Sequence, residues 1–134
     1  MLLNPTSKTA ILFHSTHTDN YRTRRITLAV KLTPAQQALN EFAPKLGEVT
    51  TDVLFGDIWE RPELSKRDRS LITVAALAAL YRSNELPFHL KRALENGLTK
   101  DELIEAMTHL AFYAGWPCAV TALNLAKAVF EDST

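Results

Sequence analysis

Residues Leu71 to Tyr81 form a run of apolar side chains broken only by Thr73. The run is too short to cross a membrane as a helix, which takes ~20 residues. A helix that is apolar nearly all round must be covered on every side. A chain of 134 residues has few other elements to provide that cover. The run therefore predicts a central helix in a small helical domain, with neighbouring subunits completing its cover.

The signals around it are also helical. Thr33-Pro34-Ala35-Gln36 combines an N-cap, a proline at the first helical position and a capping-box Gln. Leu39, Phe42, Leu46, Val49 and Val53 then recur at helical spacing, and Pro44 and Gly47 divide the stretch into two helices. Gly56 to Leu64 reads as a loop. Ser65-Lys66-Arg67-Asp68 opens the apolar helix. A further helix is predicted from Asn84 to Asn96, with Leu86, Leu90 and Leu94 inward and Gly97 as its cap. Thr99-Lys100-Asp101-Glu102 is a full capping box, followed by a core face of Leu103, Ile104, Met107, Leu110 and Ala111. Gly115 ends that helix. Pro117 fits the first position of the last one, whose apolar residues are Val120, Leu123, Ala126 and Val129. The sum is an all-α domain of antiparallel helix pairs over residues 33–134. Residues 1–32 form a different, variable segment, where Ile26, Leu28 and Val30 alternate with Thr27, Ala29 and Lys31 as in a strand.

Charge and cysteine usage exclude several function classes. Fifteen Lys and Arg balance fifteen Asp and Glu. A nucleic-acid binder or a polybasic membrane-surface protein needs a positive excess. One cysteine, Cys118, allows no internal disulfide, no CxxC pair and no thiolate zinc site. Met1 to Thr16 lacks the charged start and long apolar run of a signal sequence, so a cytoplasmic protein is expected.

Chemistry is most plausible in one stripe. Arg82, Glu85, His89 and Arg92 stand three or four residues apart, on one side of a helical wheel beside Leu86 and Leu90. A histidine, with an ordinary pKa of ~6.5, suits proton transfer near neutral pH. Glu85 is spaced to orient the His89 ring and raise its pKa. Arg82 and Arg92 are spaced to grip a carboxylate. The same pattern also describes an exposed face of helix salt bridges worth ~0.3–0.5 kcal/mol each. Spacing alone leaves both readings open.

Other residues admit two readings as well. Cys118, in the first turn of the last helix, is either a reactive thiolate or a small apolar residue packed on Ala119 and Ala122. His109 and Tyr113 lie one turn apart and either line a pocket or sit on a helix flank. His14 and His17 form an H-x-x-H without a third ligand at metal spacing, and no metal site is expected.

Longer blocks add a resemblance. They are Phe55-Gly56-Asp57-Ile58-Trp59-Glu60-Arg61-Pro62, Arg67-Asp68-Arg69-Ser70-Leu71-Ile72-Thr73-Val74-Ala75 and Asn84-Glu85-Leu86-Pro87-Phe88-His89-Leu90. Glu95-Asn96-Gly97-Leu98-Thr99 and Tyr113-Ala114-Gly115-Trp116-Pro117 follow. In this order and spacing they resemble the carboxymuconolactone decarboxylase family, over about Leu46 to Phe130. The resemblance implies the all-helical fold shared with the alkylhydroperoxidase D proteins, built of antiparallel helical hairpins. It implies trimers or hexamers and a cofactor-independent loss of carbon dioxide from gamma-carboxymuconolactone, in protocatechuate breakdown. His89 matches the family's histidine on this helix and is the candidate acid. Arg82 and Arg69 are candidate holders of the substrate carboxylates. Trp59, Phe88 and Trp116 are candidates for an apolar wall, although core packing explains both tryptophans equally well. The peroxidase branch of that fold carries a CxxC where this chain has Arg82 and Glu85, and an acidic residue where it has Ser70. A thiol-dependent peroxide reductase using Cys118 is the alternative reading. A non-catalytic helical oligomer that binds a small acid is another.

Overall fold

In the computed structural model, which describes residues 34–132, every regular element is helical. Helices α1 (Pro34–Phe42) and α2 (Pro44–Val49) meet at Ala43, where Pro44 divides them as expected. Gly47 does not divide them further: it lies inside α2, buried, where a Cβ would strike the Asn40 side chain. A π-helical segment, Thr50–Phe55, continues from α2, and a single 3-10 turn, Ile58–Glu60, follows. Then come α3 (Lys66–Ala79), α4 (Leu86–Glu95), α5 (Lys100–Ala114) and α6 (Trp116–Glu131). The strand-like alternation of Ile26, Leu28 and Val30, and the pair His14 and His17, lie outside the described residues. Among the described residues no helix is long and apolar enough to cross a membrane.

The body is α3 to α6. Helices α5 and α6 fold back on each other across Gly115, α3 packs on α4, α5 and α6, and α4 packs on α6. Gly115 has φ 98° and ψ 148°, a region open in practice only to glycine, so two long helices join through one residue. The core holds Val74 and Ala78 of α3, Leu86, Leu90 and Ala93 of α4, and Leu103 and Met107 of α5. Helix α6 adds Ala122, Ala126, Val129 and Phe130.

The caps expected at Ser65 and Thr99 form; the one expected at Thr33 lies outside the described residues. Ser65 Oγ accepts the Asp68 backbone N–H at 3.0 Å, and Thr99 and Glu102 make the reciprocal box at the start of α5. Hydrogen bonding from the Thr99 backbone, above all, holds the Glu102 carboxyl below its ordinary range, and the Arg67 guanidinium adds to this. An Arg67–Glu102 ion pair also links the first turns of α3 and α5. Replacing Ser65 with Ala leaves the Asp68 N–H without its cap. A loss of ~1 kcal/mol is expected, read as a lower urea midpoint at unchanged slope.

One expectation about burial needs correcting. Ile104 is 42% exposed and lines a shallow groove with Leu123 and Phe130 rather than the core. Val120 is likewise exposed. Helix α3 is covered on one side only: Val74 and Ala78 are buried, while Ile72, Ala76, Ala79 and Leu80 face outward. The face of Leu39, Phe42, Leu46, Val49 and Val53 is exposed throughout, with Phe42 at 91%. Among the described residues nothing covers that face.

Candidate active site

Both ends of α4 are set by left-handed corners. After α3, Tyr81 takes φ 58°, its N–H bonds the Ala78 carbonyl and the Arg82 N–H reaches Leu77. This is a Schellman cap with tyrosine in the place glycine usually takes. The Tyr81 hydroxyl lies 3.1 Å from Thr121 Oγ1, which ties the corner to α6. After α4, Gly97 at φ 95° repeats the motif, with Gly97 N–H to Leu94 and Leu98 N–H to Ala93. Leu98 is buried beneath it.

This geometry shortens the predicted stripe. Helix α4 begins at Leu86, not Asn84, because the chain is still leaving the Tyr81 corner and Pro87 favours the first turn. Glu85 is the N-cap and Arg82 precedes the helix in a single turn closed by Leu86 N–H to the Arg82 carbonyl. Both side chains are exposed. His89 and Arg92 are the stripe residues that lie within α4, one turn apart and both half-buried. The Phe88 ring meets the His89 imidazole edge-on, at 5.1 Å and 89°.

The sign expected for the His89 pKa also changes. Burial, first, and the Arg92 charge, second, push it below 6.5, and the Glu85 carboxylate opposes them without prevailing. Among the described residues Glu85 makes no hydrogen bond to the ring, so its influence is through space alone.

Arg92 occupies a setting the sequence does not show. Its guanidinium carbon lies 4.7 Å from the Phe55 ring centre and 5.1 Å from that of Trp59. Those rings are themselves 6.1 Å apart, and Trp59 is buried at 7% exposure. Trp59 is thus a support under a cation, and both earlier readings, wall and plain core, omit that. Arg92 Nε is sealed from solvent and, among the described residues, has no hydrogen-bond acceptor. Phe55 goes unnoticed in sequence reasoning; its spacing of four from Trp59, at the head of a family block, is the signal that points to it.

The other candidates stand elsewhere. Arg69 donates from Nε to the Leu64 carbonyl at 3.2 Å and from a terminal nitrogen to the Arg61 carbonyl at 3.1 Å. It clamps the loop before α3. Trp116 is 65% exposed and, among the described residues, its ring meets Phe112 and not the Phe55–Trp59–Arg92 group, so it is not core. Cys118 is half-buried with Sγ 3.9 Å from the Ala79 carbonyl at the end of α3. His109 and Tyr113 stack at 4.7 Å, and both are exposed. Ser70 is buried and accepts a hydrogen bond from Asn96 at 2.8 Å, linking α3 to the end of α4.

A helical-hairpin body with a half-buried imidazole on α4 defines a broad structural class. Comparison with known proteins narrows it. The model of the carboxymuconolactone decarboxylase family matches residues 44–128, and the chain belongs to that family. A 4-carboxymuconolactone decarboxylase of Acinetobacter baylyi is 42% identical over 94 residues, 70% of this chain and 70% of that protein. A nitrosuccinic acid decarboxylase of Metarhizium robertsii is 33% identical over 85 residues, 63% of this chain and 59% of that protein. An uncharacterized protein of Paracoccus denitrificans is 24% identical over 98 residues, 72% of this chain and 73% of its own length.

Proposed function

We propose that this chain is a cofactor-independent carboxy-lyase acting on a small lactone carboxylic acid of aromatic-acid breakdown, such as 4-carboxymuconolactone. The observation that carries the reading is the 42% identity to a protein of that name. The second named relative removes carbon dioxide from a different small acid, so reaction type is better supported than substrate. In the reaction the bond to the departing carboxylate breaks and its electron pair delocalises into the unsaturated lactone. A proton must then reach carbon, and the charge on oxygen must be held meanwhile. His89 is the proton donor in this scheme. Phe88 fixes its ring and Glu85 supplies a modest counter-charge. Arg82 stands at the rim, where it meets an anion approaching from solvent.

The peroxide-reductase reading has less support. Cys118 is the chain's single thiol, and Arg82 and Glu85 stand where the peroxidase branch of the fold carries its two cysteines. We assign the enzyme to the cytoplasm on its composition, and we propose that it works as a trimer or hexamer. The exposed faces of α1, α2 and α3 support assembly. Light scattering at micromolar concentration should give a multiple of 15.0 kDa, and a monomer would remove this part of the proposal. The reaction itself is tested by following loss of the lactone and release of carbon dioxide with purified protein. Absence of turnover at any concentration would reject the substrate and keep the family.

A further inference from the structure

We propose that Arg92 is the residue that binds the substrate carboxylate, and that Phe55 and Trp59 are positioning residues that hold its guanidinium ready for it. The inference rests on the reading above that the substrate is a small carboxylic acid, and it selects among three arginines on their contacts. Arg69 already donates to two carbonyls of its own loop. Arg82 is exposed and, among the described residues, touches no ring. Arg92 alone of the three lies over two aromatic rings, one turn from His89.

Three observations point to an anion. Among the described residues no carboxylate pairs with Arg92, although it is half-buried. Among the described residues its Nε has lost water and gained no acceptor, and its terminal nitrogens make no hydrogen bond either. A cation so placed lacks compensation for its burial. The two rings supply part of it through their negative faces, and they hold the planar fork in one orientation. A carboxylate meeting that fork bidentately supplies the rest. Because Arg92 depresses the His89 pKa through its charge, a carboxylate seated on Arg92 also makes His89 easier to protonate. Substrate arrival would then load the acid.

The test uses succinate as probe and its neutral diamide, succinamide, as control, with binding followed by calorimetry. Wild type should bind succinate and not succinamide. Arg92→Gln should weaken succinate binding roughly 10–100-fold, and Arg92→Lys by less. Phe55→Leu should weaken it several-fold, and Phe55→Tyr, which restores a ring, should recover it. In proton NMR, succinate should raise the His89 pKa in wild type and leave it unmoved in folded Arg92→Gln. Equal binding of succinate and succinamide by wild type would overturn the proposal. So would wild-type succinate affinity in folded Arg92→Gln, or Phe55→Tyr binding no better than Phe55→Leu. None of these readouts needs turnover. A protein inert towards the lactone whose succinate binding depends on Arg92 would reject the proposed reaction and keep this inference. Lactone turnover with unchanged KM in Arg92→Gln would do the reverse.

Discussion

His89→Ala should lower turnover of the lactone by ~10²–10⁴-fold while leaving the helical circular dichroism spectrum unchanged. The size follows from losing the proton donor when charge is building on the lactone. The fold should tolerate the change because His89 is half-buried at the edge of the core and, among the described residues, makes no hydrogen bond through its ring. The pH profile adds a second check. Burial and Arg92 place the His89 pKa of the free protein below 6.5. As the acid form is the active one, kcat/KM should fall as pH rises through that lowered value. A carboxylate paired with Arg92 should move the limb in kcat to higher pH. Stability has its own sign. Between the folded value and 6.5 the unfolded chain binds a proton that the folded one refuses, so stability falls as pH drops through that window. His89→Ala should remove this component. Unchanged turnover in His89→Ala would take the residue out of the mechanism.

One residue further along, the outcome should invert. Leu90 is fully buried, with 0% exposure, in the core that α4 shares with α3 and α6. Leu90→Ala should cost ~2–5 kcal/mol, the transfer term plus that of the cavity left behind. In a domain whose total stability is of the order of 5–15 kcal/mol, that is a large share. Urea unfolding should show a much lower midpoint, while the folded fraction at low temperature keeps its KM. A stability loss under ~1 kcal/mol would mean that the neighbouring helices collapse onto the gap. The adjacent pair therefore separates the face of α4 proposed to do chemistry from the face that holds the fold.

What the sequence revealed was mostly local. The caps at Ser65 and Thr99, the break at Pro44 and the glycine corners at Gly97 and Gly115 depend on residues a few positions apart. They form as read. The start of α4 was misplaced because a left-handed tyrosine has no sequence signature: Gly marks such a corner, and Tyr81 does not. The site was only half legible. His89 could be singled out by residue type and spacing. The cradle of Arg92 joins residues 55, 59 and 92, and no periodicity spans that separation. The bonds of Arg69 to the Leu64 and Arg61 carbonyls are not legible either, because a guanidinium looks the same in sequence whether it faces a ligand or a backbone carbonyl. The face of Leu39, Phe42, Leu46, Val49 and Val53 was visible as a helical stripe. Periodicity tells which side is apolar and not what lies against it.

The two left-handed corners have a kinetic consequence. At both ends of α4 the chain reverses with its amides already engaged: those of Tyr81, Arg82, Gly97 and Leu98 all donate to carbonyls of the helix they leave. Connections of this kind open with their helices and not on their own. Deuterium should therefore enter these four positions about as slowly as it enters the adjoining helical turns. The imidazole and guanidinium of α4 then ride on a segment held at both ends, so their separation is fixed before any acid arrives. A site built that way gives up little motional freedom on binding, and that helps small ligands with few atoms to grip.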